Sequence, residues 1–119
     1  MTHRRQVARQ LQEFLDEVNW IRSRIESLSE MSVTDCREVT ARFGVLKDRL
    51  QSEYRRTDSV RSRDKLNPVE KAFYAPAVHK TFVELTKIRK GTRPFVDWSN
   101  ALYCAKLELT DFMPSLESE

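Results

Sequence analysis

The chain has 119 residues, 39% of them hydrophobic and 33% charged. That is enough for one domain around one core, and short for two independent ones. Lys and Arg number 21 against 18 Asp and Glu, a net charge of +3, too mild to imply nucleic acid without local clustering. Cys36 and Cys104 are too few for a disulfide scaffold and read as buried free thiols in helical patterns.

Val7, Leu11, Phe14, Val18, Ile21, Ile25 and Leu28 recur at alternating spacings of four and three. Side chains at those intervals return to one helix face, which predicts a helix over 4–29 carrying a heptad seam. Trp20 lies beside the seam. A helix of about 26 residues is near 39 Å long, more than shorter neighbours can cover. The seam is therefore the candidate protein-interaction face, for a homodimer or another protein. The hydroxyl-rich stretch 27–34 ends this helix.

A second helix is predicted over 35–56, with Thr34 as N-cap and Asp35 in the first turn. Cys36, Val39, Phe43, Leu46 and Leu50 continue the rhythm. Gly44 reads as a small helical cost or as a close approach of another helix. Residues 4–56 thus form a long helical hairpin. The charged stretch 57–66 is an exposed connection.

The third helix has the clearest start. Asn67 can cap it, Pro68 suits the first helical position, and Glu70 can complete a capping box. Val69, Phe73, Ala77, Lys80, Leu85 and Ile88 form an imperfect seam, and Phe82 and Val83 suggest burial on both sides. Pro76 should kink or divide this helix, since proline lacks a donor and crowds the preceding turn. Gly91 is a stop signal. A fourth helix is expected from Pro94 or Asp97 to Phe112 or Met113, with Trp98, Leu102, Ala105, Leu109 and Phe112 on one face. Pro114 ends it, and a disordered acidic tail is expected beyond. The expected architecture is all-α: a small antiparallel bundle of two hairpins, 4–56 and 67–113, within one domain over 1–119.

An up-down-up-down order brings the N-terminus and the second connection to one end. Arg4, Arg5 and Arg9 would then lie near Arg55, Arg56, Arg61, Arg63 and Lys65, diluted locally by Asp58 and Asp64. Such an end suits phosphate or an acidic protein surface. Lys87, Arg89, Lys90 and Arg93 lie at the other end, where the helix dipole itself favours cations. Phe95 and Trp98 beside them fit a core better than a stacking platform.

Little in the chain resembles a catalytic centre. His3 lies near the N-terminus, and His79 has no acidic partner one helical turn away. No Glu-x-x-His pair, compact zinc motif, glycine-rich phosphate loop or serine nucleophile arrangement is recognised. Glu108 and Asp111 read as an exposed pair rather than a cation site. No cofactor or metal is implied. No apolar run approaches the roughly 18 residues that cross a bilayer, and residues 1–19 carry charges throughout. A cytoplasmic protein without a membrane partner is expected. The expected function is that of a non-enzymatic helical interaction protein: an assembly subunit, adaptor or regulator docking through the 7–28 seam. The alternative is a nucleic-acid-binding protein using its basic end, and a weaker one is a helical enzyme using His79.

Overall fold

The four-three rhythm of the N-terminal third builds one uninterrupted helix, α1 (Thr2–Ser27), in a computed structural model that describes residues 2–27, 33–58, 65–88, 97–112 and 114. Among these residues there is no strand. Val7, Leu11, Phe14, Val18, Ile21 and Ile25 are all buried, with Leu15 added on the flank. Leu28 lies outside the described residues.

Helix α2 (Val33–Asp58) returns alongside α1. It begins before Thr34, so that residue stands inside the first turn and is not the cap. Asp35 is in the first turn as its charge favours, and its carboxylate meets Arg24 of α1 at 3.2 Å. Further ion pairs step down the hairpin: Arg42 to Glu17 at 3.0 Å and Arg49 to Glu13 at 3.5 Å. As numbers rise along α1 they fall along α2, which defines an antiparallel register. These side chains are partly solvated, so each pair contributes only about 0.2–1 kcal/mol; their larger effect is to disfavour other registers. Gly44 admits no close approach, because an added Cβ would meet nothing within 4 Å.

The third helix starts through a complete capping box. The Glu70 N–H donates to Asn67 Oδ1 at 2.8 Å, and Glu70 Oε1 accepts from the Asn67 N–H at 3.4 Å. Next to Pro76 the third helix is interrupted, not continued as one regular α-helix. Instead residues Glu70–Tyr74 form a π-turn that runs directly into α3 (Ala75–Thr86). The Ala75 N–H reaches back five residues to the Glu70 carbonyl. The wider turn accommodates the proline ring, which would crowd the carbonyl four residues earlier in a regular helix. Phe82 is half-buried, while Val83 is exposed.

Helix α4 (Asp97–Asp111) closes the bundle. Trp98, Leu102, Ala105 and Leu109 are buried on one face, and the Trp98 ring packs 4.7 Å from Phe43. Helix α1 packs on α2 and α4, and α3 packs on the same two. Contacts between His3 and Asn67, between Arg56 and Glu70, and between Arg22 and Tyr103 order the helices up, down, up, down. The two cysteines are free, but both lie at the flanks of their helices and are half-buried rather than buried.

Candidate functional site

The end of the bundle where α1 begins, α2 ends and the third helix starts carries the densest polar chemistry. At its centre the π-turn wedges Tyr74 between α1 and α2. The tyrosine is 1% exposed, and its hydroxyl donates to Glu53 Oε1 at 2.6 Å. Arg56 donates from Nε to Glu53 Oε2 at 2.9 Å and from Nη2 to Glu70 Oε2 at 3.2 Å. One guanidinium therefore ties the last turn of α2 to the capping box of the third helix.

The electrostatics follow from this packing. Burial alone would raise the Glu53 pKa, but hydrogen bonds from Arg56 and Tyr74, with the charges of Arg56 and Arg49, outweigh it and hold the carboxyl below its ordinary value. Burial pushes the Tyr74 hydroxyl far above the ordinary tyrosine range, and its bond to the Glu53 carboxylate adds to that. The hydrogen bond to Glu53 raises the Arg56 pKa further. Beside this network lies an open cleft of about 310 Å³ bordered by Gln10, Glu13, Phe14, Arg49 and Ser52. Its charged groups are already paired with one another, so it offers no uncompensated charge for a ligand.

Around the rim stand the cations. Segments 2–9, 53–58 and 65–74 carry seven Lys and Arg against three carboxylates, Glu53, Asp58 and Glu70. Two of those carboxylates are engaged by Arg56. Arg4 lies over the Phe73 ring at 5.6 Å, which brings the first turn of α1 onto the π-turn. Arg5, Arg9, Arg55, Lys65 and Lys71 are exposed and make no ion pair among the described residues. Lys71 is not among the residues expected from sequence; its signal is its place one turn after the cap, where its N–H donates to the Asn67 carbonyl at 3.1 Å. Arg56 belongs to the internal network, because its Nε and Nη2 donate to Glu53 and Glu70. Arg61 and Arg63 lie outside the described residues.

Helix energetics distinguish the two arginine groups. Arg55 and Arg56 occupy the last turn of α2, where the dipole favours cations. Arg4 and Arg5 occupy the first turn of α1, which holds no acidic residue and where the dipole disfavours them. Local helix stability gives no reason for that placement.

The remaining expected sites fall elsewhere. The six described seam residues are covered by the chain's own helices and form the core; a partner could reach them only by displacing that packing. His79 Nε2 lies 3.0 Å from Thr57 Oγ1, and its ring is 4.5 Å from Tyr54. Thr57 is fully buried and donates to the Glu53 carbonyl at 2.7 Å, so its hydroxyl faces no substrate. An open hollow of about 320 Å³ does lie beside His79, lined by Lys80, Val83, Glu84 and Glu108. Asp111 is exposed. At the opposite end, Lys87 pairs with Glu84 at 2.8 Å, while Arg89, Lys90, Gly91, Arg93 and Phe95 lie outside the described residues. Trp98 is core. Among the described residues no group of three or more His, Cys, Asp or Glu could hold a metal, and no helix is long and apolar enough to cross a membrane.

Compared with protein-family models, curated proteins and solved structures, the chain matches none of them.

Proposed function

We propose that this is a non-enzymatic helical interaction protein, an assembly subunit, adaptor or regulator, that docks an acidic macromolecule through the basic end of its bundle. One observation carries the reading: three separate segments bring Arg5, Arg9, Arg55, Lys65 and Lys71 to one end, and none of them makes an ion pair among the described residues. Such charges attract an oppositely charged surface and orient it on approach. The docking surface is thus the rim of the bundle and not the 7–28 seam, whose described residues are already packed.

The test uses two exposed arginines of α2 that differ in position and not in charge. Arg55 stands at the basic end; Arg37 stands about 27 Å away along the same helix. Retention on a heparin column should fall clearly for Arg55→Ala and little for Arg37→Ala. Equal shifts would mean that retention follows net charge alone, and the localised docking surface would be wrong.

A further inference from the structure

We infer that the partner of the basic end is a nucleic-acid backbone, gripped through its phosphates by Arg5, Arg9, Arg55, Lys65 and Lys71, with Arg56 as a positioning residue that touches no ligand. This rests on the docking reading above and specifies its partner.

Three observations favour phosphate over an acidic protein. Protein interfaces bury an apolar core inside a polar rim. The exposed large hydrophobics among the described residues are Val33, Val45, Val83, Tyr103 and Leu107, and none lies on segments 2–9, 53–58 or 65–74. What this end offers is charge with no apolar anchor, which suits contacts to phosphate that position without reading bases. Second, these cations come from the ends of three helical segments, make no ion pair among the described residues and line none of the described pockets. A repeating polyanion can engage several such separate charges, whereas a single carboxylate engages one or two of them. Third, two of the three carboxylates on these segments, Glu53 and Glu70, are paired with Arg56, which leaves Asp58 as the one exposed carboxylate there among the described residues.

That third observation gives Arg56 its role. Its Nε and Nη2 are committed to Glu53 and Glu70, and its guanidinium lies 5.8 Å from the centre of the Tyr74 ring. It holds the start of the third helix, and therefore Lys65 and Lys71, against the end of α2. A residue so engaged contributes geometry, and its loss should change stability more than it changes the number of phosphate contacts.

The experiment measures binding of labelled mixed-sequence duplex DNA and single-stranded RNA across a salt series, with polyglutamate as the acidic-polypeptide comparator. Wild type, Arg55→Ala, Lys71→Ala and Arg56→Ala are compared, each checked for helical content by circular dichroism. If all five cations contact phosphate, log K against log salt on duplex should have a slope of about −4.5. Arg55→Ala and Lys71→Ala should each reduce its magnitude by about 1. Arg56→Ala should leave the slope near the wild-type value while lowering the melting temperature. Equal affinity for scrambled sequences is also expected. Polyglutamate binding without nucleic-acid binding would overturn the phosphate assignment and leave the docking reading standing. No binding of any probe at low salt would overturn both. A folded Arg56→Ala variant that loses as much slope as Arg55→Ala would overturn the positioning role.

Discussion

Replacing Tyr74 by Phe removes one oxygen from a buried polar contact of the basic end. The ring stays in place between α1 and α2, so the change isolates the 2.6 Å hydrogen bond to Glu53. A hydrogen bond to a charged acceptor contributes about 1.5–3 kcal/mol. Glu53 retains Arg56, so a loss of about 2 kcal/mol is expected at pH 7, or roughly 6–8 °C in melting temperature. The pH dependence is more telling. A tyrosine in the unfolded chain titrates near 10, whereas Tyr74 in the fold holds its proton to far higher pH. The folded state therefore binds this proton more tightly. Its contribution is complete below pH 10 and declines above it by about 1.4 kcal/mol per unit. Phe has no proton to lose, so the difference between wild type and variant should shrink to near zero by about pH 11.5. Urea unfolding of both proteins at pH 7, 9, 10.5 and 11.5 measures it, and taking the difference cancels what the two proteins share. A difference that stays constant from pH 9 to 11.5 would refute the assignment of a protonated, carboxylate-bound Tyr74.

Four further outcomes follow from the packing. Thr81 is fully buried and its hydroxyl has no hydrogen-bond partner among the described residues, so Thr81→Val should raise stability by about 1 kcal/mol in denaturant unfolding; a destabilised variant would mean that the hydroxyl is satisfied after all. Gly44→Ala places a methyl in open space within a helix and should stabilise by roughly 0.5–1 kcal/mol, seen as a rise in melting temperature. Ile21→Asp buries an unpaired charge in the core and should unfold the chain; circular dichroism with solution mass would instead reveal a folded, smaller species if the seam served self-association. Lowering the pH through the depressed Glu53 pKa should protonate it and remove its share of stability, so acid unfolding of Glu53→Gln should be flatter than that of wild type below about pH 4.5, and parallel curves would count against the network.

The local signals of this chain decided its elements. The alternating spacing from Val7 to Ile25 specifies a helix face whatever surrounds it, because side chains three and four apart must return to one side. Asn67, Pro68 and Glu70 specify a helix start, because their hydrogen bonds span only three residues. Which surface covers the seam is a different kind of fact. An apolar face demands burial without naming its partner, so the same heptads serve a dimer or a core, and only the packing of α2, α4 and the π-turn against α1 made them core. The response to Pro76 was equally hidden: the missing donor is local, but a π-turn follows because Tyr74 finds Glu53 and the α1–α2 cleft. Arg55 and Arg56 are neighbours of identical type, yet one faces solvent and the other closes the Glu53–Glu70 network. Residue type and sequence spacing describe a charge; whether it is satisfied depends on groups brought near from other helices, and that the tertiary structure alone decides.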